Sequence, residues 1–206
     1  MEKNSLTKAA VSLLIIVLLT GLSACGGDKS QEQLVKINDT VITNGQFDRF
    51  CMLWLYTQGF DPSEKLTSDQ KSLALGDMIN AEVLRQYYEE KDPSVLSDSY
   101  QNSLKAYRDQ MKAGSAEFLS GNGISDEDIG FYYMSQYLTE KYFEDIRREY
   151  SGETLKAEAE KYYDEHAEQF SGRSFEESQE EIYYLLYSER YGQQLKEIKS
   201  RMTIGR

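Results

Sequence analysis

The chain has 206 residues, 40% apolar and 28% charged, which is enough for one core and unlike a disordered tail. Acids outnumber bases 35 to 23, and a net charge of −12 argues against binding nucleic acid by phosphate neutralisation. One His and two Cys argue against a His- or Cys-rich metal site, and the single imidazole, His166, sits in a helix rich in Glu and Lys that suits a structural residue better than a catalytic base.

Residues 1–24 read as a secretory signal. Lys3 and Lys8 supply a weakly basic start, and Ala9 to Leu19 is an apolar run short for a membrane span. Leu22-Ser23-Ala24-Cys25 matches the bacterial lipobox. The expected chemistry is diacylglyceryl transfer to the Cys25 sulfur and cleavage between Ala24 and Cys25. Cleavage removes one Glu and two Lys, so the 182-residue mature chain carries −13. Cys51 is then the remaining thiol, and its apolar neighbours suit a small core residue. Residues 25–33 read as a lipidated tether. Its eight polar residues, Gly26 to Gln33, reach roughly 28 Å extended and about 16 Å as a coil.

Residues 34–206 read as one mainly α domain. Val35-Lys36-Ile37 and Val41-Ile42 flank Asn38-Asp39-Thr40, the pattern of a tight hairpin. Thr43 and Gln46 then form a capping box, and Phe47, Phe50, Cys51, Trp54 and Leu55 follow at helical spacing. Gly59 and Asp61-Pro62 end this helix. A second box at Thr67 and Gln70 opens a helix with Leu73, Ile79, Val83, Leu84 and Tyr87, stopped at Asp92-Pro93. Leu96, Tyr100, Leu104, Tyr107 and Met111 mark a third, from about 96 to 112. Gly114 and Gly121-Asn122-Gly123 bracket a short helical piece.

Ser125 caps the next helix, with three acids in its first turn where the dipole favours anions. Ile129, Tyr132, Tyr133, Tyr137, Phe143 and Ile146 carry its apolar face. A further helix holds Leu155, Ala159, Tyr162, Tyr163 and His166 and ends near Phe170. After a break at 171–174, Ser174 and Glu177 cap a last long helix through Ile182, Leu185, Leu186, Leu195 and Ile198. Met202-Thr203-Ile204 reads as a terminal strand.

No Walker loop, dinucleotide fingerprint, nucleophile elbow or zincin motif is present. No catalytic, metal or cofactor site is therefore assigned. The chain shows no alternating β–α pattern, which argues against a two-lobed solute-binding protein. Sixteen Tyr against one Trp is an unusual aromatic load. Tyr offers a flat apolar face with a polar tip and orders at little entropic cost, which suits contact with partner chains. Tyr132, Tyr133, Tyr183, Tyr184, Tyr187 and Tyr191 form its dense spots and are candidate contacts.

Three segments carry a resemblance. Val35 to Asp48 resembles the opening hairpin and helix of the SurA and PrsA class of extracytoplasmic chaperones, with Asp39 where that class has glycine. Ala157 to Phe170 is similar to the segment before that family's parvulin domain, and Phe175 to Ile204 to the helix and strand after it. Between the last two lie four residues, 171–174, too few for a hairpin with its strands, let alone an isomerase domain. The resemblance thus implies a SurA N-terminal-like helical chaperone domain lacking the parvulin insertion, its long last helix closing the same core as the hairpin. It implies binding of unfolded or partly folded exported polypeptides on the outer face of a bacterial membrane, without enzymatic activity. A surface scaffold for one dedicated folded partner is the alternative.

The anchor reading is open to direct test. Cys25→Ser should block lipid labelling and leave a precursor that retains residues 1–24, seen by mass spectrometry. Normal processing of that variant would refute the lipobox.

Overall fold

A computed structural model describes residues 29–170 and 172–205. Ala24 and Cys25, with the signal and most of the tether, lie outside the described residues. The described chain forms a small sheet and six helices. The strands are β1 (Gln33–Ile37), β2 (Thr40–Thr43) and β3 (Ile204–Gly205). The helices are α1 (Asn44–Thr57), α2 (Ser68–Lys91), α3 (Asp98–Gly121), α4 (Asp126–Glu149), α5 (Glu153–Glu165) and α6 (Phe175–Ser200). The sheet is antiparallel in the order β2-β1-β3.

Local chemistry explains the helix starts. Thr43, Thr67, Ser125 and Ser174 each complete a reciprocal capping box, with Gln46, Gln70, Asp128 and Glu177 as third helical residues. Each box satisfies backbone donors that a helix start leaves without partners. Asp128 does more, because its carboxylate also accepts from Arg49 Nε at 2.8 Å and so ties α4 to α1.

The hairpin turns as expected, and Asn38 takes the left-handed backbone at φ 51°. It also joins three parts of the chain. Its N–H donates to the Thr203 carbonyl at 2.8 Å, and its Oδ1 accepts from the Thr203 N–H at 2.9 Å. Its Nδ2 donates to Gln86 Oε1 on α2 at 2.7 Å. Gln86 in turn donates to the Ile37 carbonyl and to Glu82.

The main core packs Val35, Ile37 and Ile42 of the sheet against Phe50 and Leu53 of α1, Met78 and Leu84 of α2, and Leu138 and Ile146 of α4. Leu195 and Ile198 from the far end of α6 join it. The near end of α6 does not. There Ile182 packs with Ala159 of α5 and Phe170 in a separate small cluster. The last helix therefore closes the hairpin's core with its C-terminal half only, and its N-terminal half carries α5 as an arm.

Several expectations need correction. Lys29–Gln31 form a 3-10 turn docked on α1, held by Asn44 N–H on the Glu32 carbonyl at 3.0 Å. A Cβ at Gly45 would sit 2.9 Å from Ser30, so this docking needs glycine there. Residues 29–33, expected in the tether, thus belong to the folded domain. Leu73 is 66% exposed; Val83 and Leu84 are buried as expected, and Ala74, Met78, Ala81 and Tyr88 complete the buried face of α2. The third helix and the short piece after it are one helix kinked at Ser115, whose φ is −141°. Tyr56 spans the kink, sharing a 2.6 Å hydroxyl contact with Ser115 and stacking on Phe118 at 4.1 Å. Leu96 falls before α3, in a 3-10 turn at Pro93–Leu96. The fifth helix ends at Glu165, where His166 caps it and stacks on Tyr162, and a 3-10 turn runs on to Phe170.

The joint at Asn38 is measurable by urea unfolding. Asn38→Gly keeps the backbone but removes the side-chain bonds, and should cost about 1 kcal/mol. Asn38→Ala should cost about 1 kcal/mol more, from left-handed strain. Wild-type midpoints for both would show that the joint contributes nothing.

Candidate functional site

The angle between the α5–α6 arm and the body holds an aromatic shelf. On α6, Tyr184, Tyr187 and Tyr191 recur at helical spacing and so share one face. On α4, Phe143 faces all three, with ring centroids 6.1 to 6.2 Å away. The Arg147 guanidinium lies 4.8 Å from the Phe143 ring and 5.7 Å from that of Tyr187. Such a cation over a ring holds the shelf's geometry while both remain accessible.

Tyr184 is 59% exposed, and Leu185 beside it is also exposed. Below them opens a cavity of about 640 Å³ between α4 and α6, with Phe143, Tyr184 and Tyr191 on its walls. Asp77, Glu140 and Glu144 line it against one cation, Arg147. Burial raises the Asp77 carboxyl above its usual range and pushes the Tyr191 phenol up as well. The shelf thus combines apolar faces with an acidic floor. That arrangement can hold an apolar segment with basic neighbours.

The six candidate tyrosines separate by position. Tyr184, Tyr187 and Tyr191 come together on the shelf, with Tyr184 outermost. Tyr183 turns to the arm's own small cluster, its hydroxyl accepting from Gln179 at 2.6 Å. Tyr133 lies half-buried in a second ladder between α3 and α4, 5.0 Å from Tyr107 and 5.9 Å from Tyr100. Tyr132 is only 4% exposed and pairs its hydroxyl with Thr57 at 2.6 Å. It is a core residue, and its expected role in client contact is withdrawn. Adjacent residues on a helix point about 100° apart, so Tyr132 and Tyr133 cannot share a face.

Phe143 and Arg147 belong to the shelf beyond the expected tyrosines, while Leu185 is exposed beside it on the next face of α6. The four-residue step from Phe143 to Arg147 places a ring and a cation on one face of α4. That signal was present in the chain, whereas the facing of α4 by α6 was not. Burial pushes the Cys51 thiol up to about 12, with Asp48 adding to the shift, so this cysteine is inert at neutral pH. Among the described residues, no cluster of His, Cys, Asp or Glu is arranged to hold a metal ion.

The buried phenols make stability depend on alkaline pH. Burial pushes Tyr100 and Tyr107 up to about 12, and burial with the Glu158 carboxylate does the same for Tyr150. In the unfolded chain these groups ionise near 10.0. A raised folded pKa favours the native state fully below the unfolded value, and that contribution is lost as pH climbs through the folded one. Unfolding free energy should therefore fall between pH 10 and about 12, with phenolate absorbance appearing as circular dichroism is lost. Complete phenol ionisation with the fold intact would contradict this.

No family model, curated protein or solved structure matches this chain.

Proposed function

We propose that this protein is a membrane-anchored extracytoplasmic holdase, which binds unfolded or partly folded exported polypeptides and catalyses no reaction. In this reading the fold is a SurA N-terminal-like chaperone domain without a parvulin insertion. A diacyl group on Cys25 holds the domain at the outer face of the cell membrane, since one acyl chain alone binds only marginally.

The observation that carries the proposal is the aromatic shelf beside α4, with Tyr184 exposed at its edge and Phe143, Tyr187 and Tyr191 half-buried behind it. Rings held by neighbouring rings and a guanidinium are pre-organised, so a client meets them at small entropic cost. Contact with them is weak and many-pointed, which allows fast exchange without a nucleotide cycle. The acidic surface favours clients with basic stretches and keeps copies of the chaperone apart.

The test is suppression of light scattering by two unrelated aggregating proteins, without ATP. Wild type should delay both, less at high salt but not to zero. Tyr184→Ser should weaken suppression several-fold while stability stays within about 0.5 kcal/mol. Tyr132→Ser should instead cost about 3 kcal/mol of stability, as a core truncation does. No suppression at several-fold excess would refute the holdase and favour one dedicated folded partner.

A further inference from the structure

A second cavity lies on the far side of the sheet's edge strand. It measures about 610 Å³ and sits between β2, α2, α3 and α4. Thr40, Val41 and Ile42 of β2 line it, while no residue of β1 does. In the order β2-β1-β3 the cavity therefore opens along the unpaired edge of β2.

Ladder parity shows what that edge offers. Asn38 N–H bonds to Thr203, so Asn38 and Lys36 direct their main-chain groups to β3. Ile37 and Val35 then direct theirs to β2, where they meet Thr40 and Ile42. Main-chain groups alternate along a strand, so the Val41 N–H and C=O point outward over the cavity. The next donor, Thr43 N–H, is taken by Gln46 in the capping box at 2.9 Å. One donor and one acceptor thus stand open, beside a floor of Phe50, Met78, Leu104 and Met134. The lining holds four carboxylates, Glu82, Glu89, Glu127 and Asp128, against two guanidinium groups, Arg85 and Arg108. Arg85 binds Glu82 and Glu89, and Arg49 binds Asp128 from outside the lining. Neither the exposed Glu127 nor Arg108, whose Nε donates to the Asp126 carbonyl at 3.0 Å, makes an ion pair among the described residues, so the four carboxylates against Arg49, Arg85 and Arg108 leave one net negative charge around the cavity.

We infer that this edge and cavity form a site for an extended peptide segment, which pairs with Val41 and places an apolar side chain in the cavity between basic flanking residues. The inference rests on the client-binding reading and names the class of segment recognised. The segment's residue opposite Val41 makes the two main-chain bonds, and its neighbours share the inward face with Ile42. Strand addition of this kind takes affinity from the backbone and selectivity from the pocket. An acyl chain or small apolar molecule would leave the edge unused. A second copy is disfavoured: a four-residue edge falls far short of the roughly 1,200 Å² a stable interface buries, and two copies at −12 repel.

The probe is a fluorescein-labelled, end-capped pentapeptide KFVFK, with anisotropy read against the full protein as the cell processes it. The parent peptide should bind, and methylating the central valine's amide nitrogen should weaken it about tenfold, as loss of a main-chain bond implies. Replacing its lysines by glutamates should weaken it several-fold. Val41→Pro removes the open N–H at an edge position where proline is tolerated, and should reproduce the tenfold loss at an unchanged unfolding midpoint. Should that variant unfold, the methylated peptide on wild type decides. Equal binding of the methylated and parent peptides would overturn the inference, as would no binding of the parent. A dimer abolished by Val41→Pro, with no peptide binding, would assign the edge to a second copy and overturn it too. Scattering assays on the same samples separate the two readings. Peptide binding without aggregation suppression leaves the site and removes the holdase, and suppression without peptide binding does the reverse.

Discussion

The tie between the two ends of the folded chain sets most of this architecture. β1 sits between β2 and β3, and Asn38 bonds Thr203 through both its backbone and its side chain. The end of α6 is thereby fixed against the hairpin, with Leu195 and Ile198 in the main core. A helix of 26 residues is about 39 Å long, more than that core can cover. Its first half must project, and it brings α5 along. The angle that holds the aromatic shelf is a consequence of that length.

The tyrosines serve this geometry in two ways. Inside the body their hydroxyls find partners across elements. Tyr88 donates to Asp145 at 2.7 Å, Tyr142 to Gln194 at 3.0 Å, and Tyr137 to the Val95 carbonyl at 3.2 Å. Each bond joins two elements and avoids the cost of an unpaired polar group in the core. On the shelf the same side chain leaves its face to solvent and is steadied by Arg147. Phenylalanine would pack the first set without joining elements, and it would make the second set a more adhesive surface.

The edge cavity and the shelf lie at different places in the fold but share a character. Both are apolar with an acidic surround. At the edge, burial pushes the Glu82 carboxyl up, but bonds from Arg85, Gln86 and Thr40 outweigh it and hold the group below its usual range. That carboxylate is 2% exposed and joins α2 to the hairpin network that positions β2. An edge strand is normally a liability for self-association. Here it is four residues long and bounded by a capping bond and charged groups.

By itself the sequence determined what short-range chemistry controls. The four helix caps, the hairpin about Asn38, the terminal strand and the small apolar Cys51 follow from neighbours within a few residues. The α2 stripe holds at Val83 and Leu84 but not at Leu73, which lies a residue away from the face that Ala74, Met78 and Ala81 bury, because small side chains signal weakly to periodicity. Gly114 reads as a break, yet Tyr56 from α1 carries α3 across the kink at Ser115. Tertiary structure alone decided that the two halves of α6 enter different clusters, because that depends on where α4 and α5 lie rather than on the helix's own pattern. It likewise sent Tyr132 to the core and Tyr184 to the surface. Residues of one type at one spacing differ only in what distant segments bring against them.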